Sequence, residues 1–331
     1  MATSYSFTLM CTARMRPRWP RSMRRPGEGE MRFVICMIMI CCCTQARAEV
    51  PVVQMRGLAV DFSPAVLVAS PGERVHLGME SGLELSMAGA PAGVREAGGW
   101  LLQVPAEPGL YPLRVSGGAG EMHINLLVTV PATAVVDGRL NGYRMGPAPP
   151  GNPRLPQFYS PPAGFIEVTE DMLDLQLTPH FQLRQFLCKQ RSGYPKYLAL
   201  RESLLVLLEG LLGAVRERGY AVETFGVISA YRTPWYNRKI GNVANSRHVY
   251  GDAMDLFVDA DGDGRMDDLN RDGRRDKADV ELLAGIAEAY MAGSGEQRLH
   301  GGVGRYRKNA RHGGFVHVDT RGFSARWGAS Q

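Results

Sequence analysis

Between residues 50 and 130 the chain alternates short apolar stretches with turn residues. Ala65-Val66-Leu67-Val68, Trp100-Leu101-Leu102-Gln103-Val104, Tyr111-Pro112-Leu113-Arg114-Val115 and Ile124 to Val130 are parted by Ser70-Pro71-Gly72, Pro108-Gly109 and Gly117-Gly118. Short strands at regular spacing, with no helical period, predict a small Ig-like β-sandwich over residues 49–130. His76 and His123 each stand alone there and read as strand residues rather than ligands. Residues 131–176 form a Pro-rich linker (Pro147, Pro149, Pro150, Pro153, Pro156, Pro161 and Pro162), expected to be extended and largely without regular structure. The adjacent aromatics Phe158 and Tyr159 predict that it docks on a domain. From residue 177 the period changes. Thr178-Pro179-His180-Phe181 reads as a helix start, with Thr as N-cap and Pro in the first turn. Leu200, Leu204, Leu207, Leu208, Leu211, Leu212 and Val215 mark an amphipathic helix over 199–218, closed by Gly219. A strand over 222–231, helices over 234–240 and 278–291, and a strand over 315–320 complete an α+β domain at residues 177–331.

The net charge of +5 looks like an invitation to nucleic acid, but its location says otherwise. Residues 1–48 carry eight arginines against two acids, so the rest of the chain is close to neutral and implies no nucleic-acid partner. Within this leader, Arg32 precedes an apolar run from Phe33 to Cys43, and Ala46-Arg47-Ala48 follows. That is the layout of a secretory signal peptide starting at Met31, with a run too short to span a bilayer. The expectation is export to the periplasm or cell envelope, with no membrane span after signal cleavage. Five of six cysteines fall in the leader, leaving Cys188, which reads as a buried hydrophobe.

The sharpest chemical signal is Ser246-Arg247-His248-Val249-Tyr250-Gly251-Asp252-Ala253-Met254-Asp255. His248 and Asp255 lie seven residues apart, Gly251 permits a turn between them, and Ala253 leaves space beside the site. A third ligand is offered by Phe315-Val316-His317-Val318-Asp319 on a late strand. Two imidazoles and one carboxylate make an open catalytic zinc shell. With Ser229-Ala230-Tyr231-Arg232-Thr233, Leu183-Arg184-Gln185-Phe186 and Gly301 to Tyr306, these motifs resemble the zinc D-Ala-D-Ala carboxypeptidase family. Its relatives include vancomycin-resistance dipeptidases, phage endolysins and periplasmic murein endopeptidases. The likeness covers roughly Leu177 to Arg326 and implies zinc held by His248, Asp255 and His317. It further implies peptidoglycan as substrate and Arg232 as stabiliser of the oxyanion, with Tyr231 and Ser246 contacting substrate. One departure is plain: the family's glutamate three residues before the last histidine is here Gly314. Asp319 is then the nearest candidate for general base, or equally an acceptor that orients a ligand imidazole.

An acidic insertion at 259–279 follows the first motif. Asp268, Asn270, Asp272, Asp276 and Asp279, with the Arg274 carbonyl, fit a twelve-residue calcium loop turned by Gly273. An overlapping loop begins at Asp259-Ala260-Asp261-Gly262-Asp263-Gly264 and ends on Asn270, a poorer twelfth ligand. The expected protein is thus a β-sandwich joined to a small α+β zinc peptidase domain that cuts stem peptides or their cross-links, as a D,D-endopeptidase or D,D-carboxypeptidase. A non-catalytic zinc-fold protein that binds the cell wall, or an adhesion protein, is the competing expectation.

Overall fold

The computed structural model describes residues 50–118, 120–310 and 312–328. The expected leader lies outside the described residues. Strand Arg74–Gly78 shows how the first sheets arise: Val75 and Leu77 are buried while Arg74 and His76 face out, the two-residue period of a half-buried strand. Two five-stranded sheets are built this way. One runs in the order Leu58–Val60, Val53–Met55, Arg74–Gly78, Gly99–Gln103, Gly93–Glu96. The other runs Ala65–Ala69, Gly120–Val128, Gly109–Gly117, Glu84–Met87, Ala90–Pro91. Leu77, Trp100 and Leu102 from the first and Leu67, Leu85, Leu113 and Ile124 from the second share one apolar core.

The second half is organised around another five-stranded sheet. We label its strands β1 (Gly226–Ser229), β2 (Ala253–Phe257), β3 (Gly302–Tyr306), β4 (Phe315–Asp319) and β5 (Ala325–Trp327), and they lie in the order β1-β2-β4-β3-β5. All pairs are antiparallel except β3 with β5. The three helices are α1 (Glu202–Glu217), α2 (Pro234–Lys239) and α3 (Lys277–Gly293). Strands β2 and β4 are buried along their whole length. The apolar stripe predicted for α1 is buried from Leu204 to Val215 and joins Leu283, Ile286 and Ala287 of α3 in the larger core. Among the described residues, no helix is long and apolar enough to cross a membrane.

Two local expectations are overturned. Thr178-Pro179-His180-Phe181 starts no helix. Gln176–Thr178 and Phe181–Gln182 pair as a small antiparallel ribbon, with Pro179 and His180 in the turn. The buried Leu177 and Phe181 gain more by entering the core than the Thr-Pro pair gains by capping. The Pro-rich stretch is likewise not featureless. It contains a two-stranded hairpin, Arg139–Leu140 with Tyr143–Arg144, and a single helical turn at Pro156–Tyr159. It is pinned to the sheet domain by Arg201, which donates to Gln157 O (3.3 Å) and Ser160 O (3.0 Å), and by Tyr250, which donates to Pro150 O. Val68 N donates to Glu202 Oε1 at 2.9 Å, and Leu58, Val66 and Leu127 join the core that includes α1.

Candidate metal centre

Strand register sets the centre. On the antiparallel pair β2–β4, Asp255 stands opposite His317, so the carboxylate and imidazole meet across the ladder. His248 arrives from the one-turn helix Arg247–Tyr250, which Gly251 ends in a left-handed conformation (φ 78°). A Cβ on Gly251 would lie 2.4 Å from Ala199 O, so both backbone angle and space require glycine there. His248, Asp255 and His317 are each at least nine-tenths buried.

The three donor atoms form a tight triangle. His248 Nε2 lies 3.2 Å from Asp255 Oδ1 and 3.1 Å from His317 Nδ1, and His317 Nδ1 lies 2.8 Å from Asp255 Oδ1. A tetrahedral shell with bonds of ~2.0–2.2 Å separates its ligand atoms by roughly 3.3–3.6 Å, so the set fits a zinc-sized ion once the His317–Asp255 pair opens slightly. The far sides of the ligands are all engaged. His248 Nδ1 donates to Ala230 O at 2.6 Å, His317 Nε2 faces Asp319 Oδ2 at 2.9 Å, and Asp255 Oδ2 accepts from Arg232 Nη2. These contacts aim one lone pair of each group inward, the support that metal-binding imidazoles and carboxylates need. Burial pulls the pKa of His248 down, although Asp255 opposes it. For His317 burial also acts downward, but hydrogen bonds to Asp255 and Asp319 outweigh it and carry it up to about 9. Asp255 sits well below the ordinary carboxylate range, because the two imidazoles overcome the upward effect of its burial.

Asp319 lies beside His317. It shares a strand face with His317, but the imidazole ring stands between it and the triangle. Its carboxylate is fully buried and accepts from Gly302 N (2.9 Å), from Arg321 N (3.1 Å) and Nε (2.8 Å), and from His317. Despite burial, Arg321 and His317 hold its pKa well below the usual carboxylate range. At Gly314 a Cβ would approach Val280 Cγ2 of α3 to 2.8 Å, so a side chain there would need that valine to shift.

A cleft of about 570 Å³ opens over the triangle, lined by Tyr159, Arg232, Ser246, Arg247, Tyr306, His312, Arg321 and Trp327. Arg232 and Ser246 thus line the cleft, Arg232 with Nε also bound to Ser229 Oγ at 2.8 Å. Tyr231 does not. Its ring is buried in the core and its hydroxyl has no hydrogen-bond partner among the described residues, because the residue next to Arg232 on an extended backbone points to the opposite side. Tyr159 and Trp327 were not singled out as site residues in the sequence. Tyr159 reaches the cleft from the Pro-rich stretch and packs edge-on against Tyr250 (5.5 Å between centroids). The Arg247 guanidinium lies 4.5 Å from the Tyr159 ring and 4.6 Å from that of Tyr250, and it is paired with buried Asp252. Phe158-Tyr159 was the available signal. The Trp327 ring lies 5.1 Å from that of His317.

Residues 179–279 match the family model described as Peptidase M15. That agrees with the resemblance read from the motifs. The M15 segment contains Arg232, His248 and Asp255 and stops before His317, which the β2–β4 register brings to it. No curated protein and no solved structure matches the chain.

In the acidic insertion the carboxylates of Asp259, Asp261 and Asp267 come close enough to share an ion. Arg275 reaches into the same loop, bound to Asp263 and to Asp261 Oδ2 at 2.8 Å. In the loop from Asp268 to Asp279, side chains of Asp268, Asn270 and Asp272 accept from the amides of Asp272, Gly273 and Arg274. Asp279 is fully buried. It accepts from the amides of Leu269 (2.7 Å) and Asp276 (2.7 Å) and completes the capping box of α3.

Proposed function

We propose that this protein is an exported zinc peptidase that hydrolyses amide bonds flanked by a D-residue in peptidoglycan stem peptides or their cross-links. The carrying observation is the buried His248–Asp255–His317 triangle on the floor of an open cleft, in a chain that matches an M15 peptidase model. Zinc bound there would supply Lewis acidity to the scissile carbonyl and to the attacking water. The protein's own groups do the rest. Arg232 is fixed through Asp255 and Ser229 and turns its remaining N–H groups to the carbonyl oxygen, where a planar guanidinium suits developing negative charge. Asp319 keeps the proton of His317 on Nε2, which leaves Nδ1 as the ligand atom. Ser246 and Tyr159 flank the bound peptide.

The proton taken from water goes to His312 and from there to the departing amine. His312 lines the cleft; its Nδ1 donates to Gly313 O at 2.7 Å and its Nε2 accepts from Asn309 Nδ2 at 2.7 Å, a bond that opens when the ring takes the proton. Asp252 is tied to Arg247 in the interior and Glu296 caps the helical turn at 297–299, so neither competes. We read residues 49–130 as an Ig-like sandwich, supported by two sheets around one core, 131–176 as a docked linker, and 177–331 as the catalytic domain. The loop from Asp268 to Asp279 is read as a calcium loop, supported by its prefolded turn. Millimolar calcium should then raise the melting temperature by ligand linkage, and an unmoved transition would dismiss the site. Digestion of purified sacculi with and without chelator, with fragments identified by mass, tests the main reading. Release of peptides that a chelator fails to suppress would refute zinc dependence, and no release would favour a cell-wall-binding protein.

A further inference from the structure

Against α2 lies a groove of about 750 Å³ whose chemistry the peptidase reaction leaves unused. One wall is the hairpin Arg139–Leu140 with Tyr143–Arg144, whose register places Arg139 directly opposite Arg144. Like charges in directly opposed positions destabilise a ribbon, and a two-stranded ribbon has little stability to spare. The opposite wall is α2, with Trp235 and Arg238 facing the groove. The Arg144 guanidinium lies 4.7 Å from the Trp235 ring, and Lys239 Nζ lies 5.1 Å from it.

All four cations are exposed, and among the described residues none of them forms an ion pair. Asp137 is the one acid that lines the groove. The hairpin is nevertheless held rigidly. Trp235 N donates to Met145 O at 2.9 Å, Gln190 Nε2 donates to Arg144 O at 3.1 Å, and a Cβ on Gly146 would lie 2.6 Å from Trp235 N. A fixed frame that presents unpaired guanidinium groups around an indole is suited to an extended ligand carrying carboxylates and a flat apolar face. Helix α2 begins two residues after Arg232, and Ile240 and Val243, just past its end, line the catalytic cleft. One elongated polymer can therefore touch both surfaces.

We propose that this groove is an exosite for carboxylate-bearing glycopeptide: Arg139, Arg144 and Arg238 take free carboxylates of uncleaved stem peptides, and Trp235 takes a sugar ring. The inference rests on the peptidoglycan reading above and deepens it. The test is co-sedimentation of the full-length chelated protein with purified sacculi, so that binding is read without cleavage. The double variant Arg144→Glu/Arg238→Glu should bind about ten-fold or more weakly at ~0.01 M salt, and the difference should vanish near ~1 M, where the Debye length is about 3 Å. Amidating the carboxylates of the sacculi should abolish the advantage of the unsubstituted protein. With metal restored, cleavage of a short soluble stem peptide should be equal in both proteins, which also shows that the variant is folded.

Unchanged sacculus binding in the double variant would overturn the proposal, as would binding that survives amidation. A parallel loss of short-peptide cleavage would assign these arginines to the catalytic cleft instead and overturn it equally. Because sedimentation is read on chelated protein, a failure of the peptidase reading shows in the cleavage arm alone.

Discussion

Replacing Asp319 by Asn tests the inner logic of the metal centre, because it keeps the shape and removes only the charge and one acceptor. In the native site Asp319 accepts from His317 Nε2 at 2.9 Å, so the imidazole carries its proton there and offers Nδ1 to the centre. An asparagine whose Nδ2 takes that place donates rather than accepts. It therefore favours the tautomer with the proton on Nδ1, which has no lone pair for a metal. Loss of such an orienting partner typically costs ~10–100-fold in metal affinity, about 1.4–2.8 kcal/mol. Stability should fall as well. The carboxylate is fully buried and bonded to Arg321, and breaking a buried pair costs about 3–5 kcal/mol. The low end applies, because the Arg321 side chain keeps 17% exposure. Zinc affinity is read by competition with a chromophoric chelator, stability by urea unfolding of the chelated protein, and kcat at saturating zinc. Weakened zinc binding with most of kcat recovered at excess metal is the expected result. Native affinity with kcat down ~10²–10⁴-fold would make Asp319 the base and refute the tautomer reasoning.

Further outcomes follow from neighbouring contacts. His317→Ala removes one of three donors and should abolish tight zinc binding, measured as metal content after dialysis; an unchanged content would move the ligand search elsewhere. Asp252→Ala strands Arg247 in the interior between Tyr159 and Tyr250 and should cost about 3–5 kcal/mol in urea unfolding. A loss under ~1 kcal/mol would mean that solvent reaches Arg247. Tyr159→Ala removes one aromatic wall of the cleft and should raise KM roughly 2–12-fold, from ~0.5–1.5 kcal/mol for a ring contact, with kcat and zinc content kept. Tyr159→Phe should behave as the native protein, and a drop in kcat alone would dismiss the contact.

Much of the centre was legible in the chain because its residues are tied to local periodicity. The turn at Gly251 and the alternation along 253–255 and 315–319 already predict that His248, Asp255 and His317 face one another, and the register of β2 on β4 places them so. Alternation also put Asp319 on the face of His317, but a strand period cannot say on which side of a ring a neighbour lies. That depended on Gly302 and Arg321, which close around the carboxylate from β3 and from the segment after β4. Thr178-Pro179 misled for the reverse reason: a cap signal is worth about 1 kcal/mol, less than burying Leu177 and Phe181. The Pro-rich stretch hid most. Proline density reports backbone stiffness, and only contacts with Arg201, Arg247 and Tyr250 reveal that it lends Tyr159 to the cleft.

The absent glutamate at position 314 then has a coherent physical reading. Helix α3 packs Val280 against the glycine, so any side chain at 314 meets that valine at its Cβ. On the proposed reading Asp319 does not take the role of base, since it stands behind an imidazole and accepts from Gly302, Arg321 and His317. A base must line the open side of the triangle and offer an acceptor atom there. Among the cleft-lining residues outside the triangle, His312 is the one we propose for that role, since a guanidinium has no acceptor atom and the imidazole Nε2 accepts. His312→Gln should therefore lower kcat by ~10²–10⁴-fold, as expected for lost acid–base catalysis, while zinc affinity stays native. That outcome is the mirror image of the one expected for Asp319→Asn. If both variants instead lose activity in step with zinc, His312 would belong to the ligand shell, and the division of labour between the two residues would be wrong.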